Sequence, residues 1–297
     1  MRQVDERGRE RTCRRSGPPT LAIERAHYRS PVASYVIRGG AEGKARLSVV
    51  SAGLAPSTAS LLDAAGVGEG MRVLDVGCGG GDVTLALAQL VGAHGAVVGI
   101  DVDDVKLELA RADAVRAGIE HVEYRIGDAT AIDAREEYDV VYARFLLTHL
   151  ADPTATLARM VRATRPGGVV IVEDLDHSAV YSYPALPALA EYVELYNEVS
   201  RRRGGDPEIG PKLLRMLRAS RLIEVEVRTA QPVLVDGAPK RIHQITLENV
   251  RDSIVAECVA TEAVLGPIER ELDAFCAEPD TIVAFPRVFQ VFGRRPA

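Results

Sequence analysis

A turn of three alternating glycines is where this chain could bind a ligand. Gly77, Gly79 and Gly81 follow a short apolar segment, and the acidic residue Asp75 stands two positions before the first of them. Glycine adopts positive φ without strain and lets a ligand approach the backbone, while the start of a following helix offers unpaired N–H groups. The pattern therefore predicts a site for a nucleotide-like cofactor.

The elements around this turn decide which cofactor it suits. Residues 71–76 have the length and β-branched content of a buried strand, and residues 82–91 have the apolar spacing of a helix. The dinucleotide fingerprint Gly-x-Gly-x-x-Gly would need glycine where Asp82 stands, or where Thr84 stands if it began at Gly79. Asp75 suits a ligand that carries a positive charge.

An acidic residue followed by Gly-x-Gly-x-Gly resembles the first motif of the class I S-adenosylmethionine-dependent methyltransferases. The resemblance implies S-adenosylmethionine as cofactor and a Rossmann-like α/β fold. In that fold a mostly parallel seven-stranded sheet ends in an antiparallel last strand, helices cover both faces, and helical insertions cover the active site. Asp101 ends a second predicted strand about twenty residues beyond the turn, where such folds place a ribose-binding carboxylate.

Later segments match the same family in the correct order. Asp128 and Ala129 follow a third predicted strand, 122–126, and resemble the corner that contacts adenine. A fourth strand, 138–142, leads towards Arg144, and a fifth is predicted over 169–172. The cofactor-binding residues that the resemblance implies are Tyr35, Asp75, Gly77, Cys78, Gly79, Asp101, Val102, Asp128, Ala129 and Arg144.

Several of these residues have simpler interpretations. Tyr35 lies in a segment, 34–40, that resembles a lid rather than core, but a tyrosine beside apolar residues can also be ordinary half-buried packing. Cys78 lies inside the glycine turn, where the family that the chain resembles commonly has a small residue, and it suits packing rather than nucleophilic attack. The four cysteines form no Cys-x-x-Cys pair, so they are expected to be free thiols. Asp103 and Asp104 are expected to cap the helix that follows them.

The domain organisation follows from composition and pattern. The arginine- and glutamate-rich start has almost nothing to bury and is expected to be disordered. The segment before the glycine turn is predicted to be helical, most clearly over 57–66. The predicted parts are a tail at 1–20, a helical lid at 21–56, a cofactor-binding core at 57–176, and the rest of the sheet at 177–297 with substrate-covering insertions at about 177–218 and 238–278.

Candidates for catalysis are few because a sulfonium methyl group is already activated, so the main task is to hold the reactants together. His149, just past the fourth strand, and Glu173, at the end of the fifth, are the candidate bases. The alternatives are a structural histidine at position 149 and a solvated acid that caps the end of the strand at position 173. Asp174, Asp176 and His177 are too common a cluster to specify a metal, and no metal site is predicted. His243 is expected to be an exposed helix residue.

Two features that the sequence lacks reduce the range of methyl acceptors to be expected. The chain lacks both the Asn/Asp-Pro-Pro-Tyr motif of base and glutamine methyltransferases and a basic stripe with aromatics for nucleic acid. A small, moderately hydrophobic metabolite, such as a polyketide, peptide or quinone-like compound of natural-product biosynthesis, is the expected acceptor, methylated at O, N or C. A noncatalytic S-adenosylmethionine-binding scaffold and, with less support, an NAD-dependent oxidoreductase remain the alternatives.

Composition fits an ordinary soluble enzyme. The 297 residues are 47% hydrophobic with a formal net charge of −6, and no apolar run approaches the length of a membrane span. No signal-peptide core opens the chain, so a cytoplasmic location is expected. The predicted helices of the insertions are apolar enough to pair two subunits, so a homodimer is one of the possible assemblies.

Overall fold

The structure is a computed structural model that describes residues 36–297 and two short strands near the N-terminus. The chain divides into two units, Met1–Ser30 and Pro31–Ala297. In the first, β1 (Arg2–Val4) and β2 (Glu10–Thr12) pair antiparallel, where the sequence predicts a disordered tail. The rest of the predicted tail, including Cys13, lies outside the described residues. Tyr35 also lies outside them.

A seven-stranded sheet forms the centre of the second unit. Its strands are β3 (Arg72–Val76), β4 (Ala96–Asp101), β5 (Val122–Ile126), β6 (Tyr138–Arg144), β7 (Thr164–Asp176), β9 (Ile223–Ala230) and β12 (Arg287–Arg294). Their order in the sheet is β5-β4-β3-β6-β7-β12-β9, in which neighbours from β5 to β7 run parallel and β12 runs antiparallel to both β7 and β9. This sheet confirms the predicted fold. A separate small sheet consists of β8 (Ser182–Tyr183), β10 (Val233–Leu234) and β11 (Ile282–Ala284).

Helices cover both faces of the sheet. The helix after the glycine turn has the predicted bounds, and the insertion predicted at about 238–278 contains two long helices, Ile242–Ala256 and Glu262–Ala277. The helices are α1 (Gly40–Ala64), α2 (Asp82–Val91), α3 (Asp104–Arg116), α4 (Pro153–Ala163), α5 (Pro187–Arg202), α6 (Leu213–Ala219), α7 (Gly237–Lys240), α8 (Ile242–Ala256) and α9 (Glu262–Ala277).

The first of these helices is much longer than its clearest sequence signal. The pattern is strongest over 57–66, yet α1 begins at Gly40 and continues through Pro56. Proline removes one backbone hydrogen bond from a helix interior. Buried Val50, Leu54 and Leu61 lie on both sides of Pro56, so packing of one continuous face offsets that loss.

Pro286 divides the last predicted strand. The sequence predicts one strand over 281–292, but β11 pairs with β8 and β10 in the small sheet, whereas β12 lies between β7 and β9. Proline has no N–H to donate to a strand ladder, so the chain leaves one sheet before Pro286 and enters the other after it. The single strand was therefore the wrong prediction.

A second core lies under the helices that the sequence predicts as substrate cover. Buried residues of α5, α8 and α9 pack against α1 and the small sheet. Val36 and Ile37, which are 2% and 6% exposed, belong to this cluster. They are core residues, so the prediction that segment 34–40 is a lid rather than core is wrong for these two.

A buried carboxylate joins α1 to the sheet. Glu173 of β7 is fully buried and accepts hydrogen bonds from the Tyr142 hydroxyl, from Gln290 Nε2 at 2.6 Å and from Thr58 Oγ1 at 3.1 Å. These donors come from β6, β12 and α1. Because α1 packs over this part of β7, Glu173 is enclosed by polar partners and does not reach an open surface.

The described helices include none that is both long enough and apolar enough to span a membrane. Cys78 and Cys276 are free thiols, as predicted.

Replacing Glu173 should destabilise the fold strongly. In Glu173→Ala the Tyr142 hydroxyl and the Gln290 amide lose their buried partner, which should cost about 3 kcal/mol or more in the free energy of unfolding. Thr58→Val removes one neutral donor and should cost about 1 kcal/mol. Urea unfolding of both variants measures this; a loss below that of Thr58→Val would contradict the anchoring role of Glu173.

Candidate active site

A cavity of about 510 Å³ lies at the carboxyl ends of the parallel strands, beneath the first half of α1. Ligands bind at this edge of open α/β sheets, and the volume suits a cofactor with a small partner. One end is formed by the glycine turn and acidic residues, and the other end is largely apolar. The lining residues are Ile37, Gly39, Arg46, Leu47, Gly77, Gly79, 101–106, 127–129, 144–146, His149, Leu150, Leu175, Tyr196 and Phe285.

The backbone and the close neighbours of the glycine turn exclude larger residues at Gly77 and Gly79. Gly77 and Gly79 have φ of 70° and 54°, which disfavours other residues. A Cβ at Gly79 would lie 2.8 Å from Leu47 Cδ1, and one at Gly77 would lie 2.9 Å from Leu146 Cδ1. The glycines therefore let α1 and the segment after β6 close directly onto the turn.

Asp101 holds the glycine turn and faces the cavity. Its Oδ2 accepts a hydrogen bond from Gly79 N at 2.9 Å, and its Oδ1 accepts one from Asp103 N at 2.9 Å. A carboxylate has about four acceptor positions, so further positions remain for a ligand. A pair of hydroxyl groups could donate to both oxygens.

Asp103 caps α3, as predicted, and also binds α1. Its Oδ1 accepts from Lys106 N at 3.1 Å, and its Oδ2 accepts from Gly40 N at 2.7 Å. Burial would raise the pKa of Asp103, but these backbone hydrogen bonds outweigh it, and the pKa is lowered. The carboxylate stays charged and ties the starts of two helices together. Asp104 lies in the first turn of α3 at the cavity rim.

Asp75 and Cys78 lie behind the turn, in a smaller adjoining pocket of about 40 Å³ that also includes Gly77, Gly79 and Arg144. Asp75 accepts a 2.6 Å hydrogen bond from Thr84 Oγ1, and burial raises its pKa to about 6. The charge of Arg144 opposes part of that rise. Asp75 is thus charged above about pH 6, where it favours a cationic group nearby. Burial also raises the pKa of Cys78, which favours the unreactive thiol.

Residues of α1 that no sequence pattern predicted complete this end of the site. Lys44 Nζ donates to Gly80 O at 2.6 Å and pairs with Asp113 at 2.6 Å, and Ser48 Oγ donates to Asp82 at 3.1 Å. Positions 44, 47, 48 and 51 share one helical face, but that spacing identifies them only once the helix is known to begin near residue 40.

The predicted adenine corner lies on the cavity wall. Asp128 accepts from both Thr130 N and Thr130 Oγ1 at 2.7 Å and so begins the short 3₁₀ helix Ala129–Ala131. Val102 and Ala129 line the cavity beside it. The structure therefore brings the described residues of the predicted cofactor site to one end of the cavity or to its adjoining pocket.

The other end has apolar and aromatic walls. Phe145, Tyr196 and Phe285 contribute rings, and Phe145 has a φ of 53°, an uncommon backbone conformation that often marks functional sites. Leucines and Ile37 supply the remaining apolar surface. This end suits a flat, moderately hydrophobic molecule.

His149 is on the wall of the cavity, on the short 3₁₀ helix Leu147–His149. Asp174 holds that helix in place by accepting from Thr148 N at 3.0 Å. Burial, together with the charges of Arg46 and Lys106, lowers the pKa of His149 to about 3. The imidazole is therefore neutral throughout the physiological range and is a weak proton acceptor.

Glu173, the other predicted base, is not among the described residues that line the cavity, since α1 covers it at Thr58. His243 was predicted to be exposed but is 3% exposed, and its Nε2 lies 3.0 Å from Ala284 O, because α8 turns this face into the second core. Residues 36–297 contain no group of three or more histidine, cysteine or acidic side chains arranged to hold a metal.

The family model described as a methyltransferase domain matches residues 68–208, which include the glycine turn and the segment with His149. This part of the chain is therefore similar to a methyltransferase domain. The match spans β3 to the end of α5, so the domain includes the parallel strands whose ends form the cavity.

Curated relatives resemble the methyltransferase domain. Demethylmenaquinone methyltransferase of Staphylococcus aureus is 36% identical over 132 residues, which are 44% of this chain and 52% of the relative. Ubiquinone biosynthesis O-methyltransferase of Stutzerimonas stutzeri is 35% identical over 127 residues, 42% of this chain and 52% of the relative. The chain thus spans about half the length of these relatives.

A solved structure extends the likeness of fold beyond the methyltransferase domain. A putative methyltransferase of Bacillus halodurans superposes with a TM-score of 0.55 and covers 80% of this chain and 98% of its own. Its sequence identity is 22%, so the likeness concerns the fold alone.

The histidines beside the cavity should remain neutral in mild acid. Burial lowers the pKa of His149 and His177 to about 3 and that of His243 to about 4. The proton NMR signals of these rings, assigned with single His→Gln variants, should not shift between pH 8 and about pH 5. A midpoint near the ordinary value of 6.5 for His149 would contradict its burial.

Proposed function

We propose that the chain is an S-adenosylmethionine-dependent methyltransferase that acts on a small, moderately hydrophobic, quinone-like or phenolic metabolite. The observation that carries the proposal is one continuous cavity. It runs from the glycine turn and Asp101 to an aromatic end beside His149. A single cavity with a polar and an apolar end is what a cofactor and an acceptor need in order to meet.

The residues at the polar end fit S-adenosylmethionine. Asp101 keeps acceptor positions for the ribose hydroxyls, and Asp128 and Ala129 lie where adenine would bind. Asp75, charged above about pH 6, favours the positive charge of the methionyl part. When bound, the cofactor supplies a methyl group already activated on a sulfonium. The chain's own task is to bind, to orient and to exclude water.

The names of the curated relatives support a quinone-like acceptor. One relative is a demethylmenaquinone methyltransferase and another acts in ubiquinone biosynthesis. The rings of Phe145, Tyr196 and Phe285 offer stacking surfaces of the kind that a flat quinol or phenol would occupy.

His149 serves better as a neutral wall of the acceptor site than as a general base. A base works best with a pKa near the operating pH, and the pKa of His149 is about 3. Glu173 is enclosed by Tyr142, Gln290 and Thr58, so it positions α1 rather than taking a proton from the acceptor. Binding and orientation therefore supply most of the rate enhancement.

Calorimetric titration with S-adenosylmethionine, S-adenosylhomocysteine and NAD tests the cofactor. The first two should bind and NAD should not. Formation of S-adenosylhomocysteine with a panel of catechols and hydroxynaphthoquinones then tests turnover. Binding of NAD alone would overturn the proposal, and cofactor binding without turnover of any acceptor would favour a noncatalytic scaffold.

Asp101→Ala should weaken binding of S-adenosylhomocysteine about 10-fold or more, because a pair of charge-assisted hydrogen bonds is worth about 1.5–3 kcal/mol. The same titration measures it. Asp133→Ala, which removes an exposed carboxylate away from the cavity, is the matched control and should bind as the unchanged protein does. Unchanged affinity of a folded Asp101→Ala protein would remove Asp101 from the site.

A further inference from the structure

Three cations line the cavity among the described residues, and their partners differ. Lys106 lies 3.6 Å from the carboxylate of Asp103. Arg144 donates to the Ser51 hydroxyl and is close enough to Asp75 to affect its ionisation. Arg46 forms no ion pair with a carboxylate of residues 36–297, and its hydrogen bond there is a neutral one, from Nε to Thr246 Oγ1 at 2.9 Å. Arg46 thus differs from the other two cavity cations.

The orientation of Arg46 is fixed by α8. Thr246 Oγ1 donates to Ile242 O at 2.7 Å while it accepts from Arg46, so the hydroxyl holds the guanidinium at its Nε side. The two terminal nitrogens carry four further N–H groups in a planar fork that matches an anionic oxygen pair. Because Arg46 lines the cavity, this fork can meet a bound molecule.

Among the described residues, no acid of the cavity wall forms an ion pair with Arg46. The acids that line the cavity are Asp101, Asp103, Asp104 and Asp128, all at the cofactor end or its rim. The nearby histidines are neutral and buried, and the charge of Arg46 reaches far enough to lower the pKa of His149, His177 and His243. A half-buried cation among neutral rings is costly until an anion joins it.

We propose that Arg46 binds an anionic oxygen of the acceptor, either a carboxylate or an ionised hydroxyl, so that the acceptor is an aromatic or enolic acid. The inference rests on the proposed function, since it concerns the acceptor end of the same cavity. The aromatic walls at Phe145, Tyr196 and Phe285 receive the ring, and Arg46 selects molecules that carry a negative charge on it.

An acceptor oxygen that is ionised beside Arg46 would remove the need for a strong general base. Arg46 would favour the ionised form of a hydroxyl bound beside it, because an opposite charge within a few ångström lowers the pKa of an acid. An ionised oxygen needs no further proton removal before it can accept a methyl group. The weak basicity of His149 is then no obstacle.

Binding of matched probes to the S-adenosylhomocysteine-saturated protein tests the proposal. Para-hydroxybenzoate and para-hydroxybenzamide share ring, hydroxyl and size but differ in charge. The carboxylate should bind about 10-fold or more tightly than the amide, and Arg46→Gln should abolish that preference. Arg218→Gln, which removes an exposed arginine of α6 away from the cavity, should keep it.

A second probe identifies the source of the anionic oxygen. Para-nitrophenol changes colour on ionisation, so binding beside Arg46 should increase its ionised fraction at constant pH in the unchanged protein and not in Arg46→Gln. A carboxylate preference points to an acid group on the acceptor, and a colour change points to the methyl-accepting hydroxyl. Either result that depends on Arg46 supports the proposal.

Loss of both effects overturns it. If the unchanged protein shows no charge preference and no colour change, or if Arg46→Gln retains them, Arg46 does not bind the acceptor. Titration of the same samples with S-adenosylhomocysteine separates this outcome from failure of the proposed function. Normal cofactor affinity without an effect of Arg46 would reject only the acceptor class, and absent cofactor affinity would reject the function.

Discussion

The fully buried carboxylate of Glu173 is the interaction on which the site depends. A charged or polar group without water must be hydrogen-bonded, and Glu173 obtains its partners from Tyr142, Gln290 and Thr58. Thr58 belongs to α1, so satisfying the carboxylate also fixes that helix on the sheet. The first half of α1 then lies over the cavity with Arg46 and Leu47 facing it. A carboxylate outside the cavity thereby positions one of its walls.

Charge is divided along the cavity. Carboxylates at the cofactor end accept from backbone N–H groups, as Asp101 does from Gly79 and Asp103 from Gly40. For Asp103 these donors outweigh the effect of burial and lower the pKa, so its carboxylate remains ionised. The other end has aromatic walls, the neutral imidazole of His149 and the cation Arg46. A cationic cofactor and an acidic acceptor would each meet the opposite charge, and this difference orients the two ligands relative to each other.

The buried histidines lower the stability of the fold in acid. An imidazole whose pKa falls to about 3 in the folded protein is protonated near 6.5 when unfolded, so stability is lost as pH falls below about 6.5. His177 and His243 add to this cost. They pack with Tyr192, at 6.0 Å and 5.7 Å between ring centroids, in the core beneath the covering helices. The same aromatic core supports Tyr196 on the cavity wall.

The sequence alone determined the parts that depend on local geometry: the glycine register that argues against a dinucleotide, the placement of Asp101 at the end of β4, and the parallel strands. Each follows from a short period or from the backbone freedom of glycine. Only the tertiary structure decided which polar residues are enclosed. Glu173 and His243 belong to segments that pattern leaves ambiguous, and the burial of each is set by helices distant in sequence. Arg46 gave no sequence signal, because its neutral partner and its neighbours in the cavity come together only when α1 packs against α8.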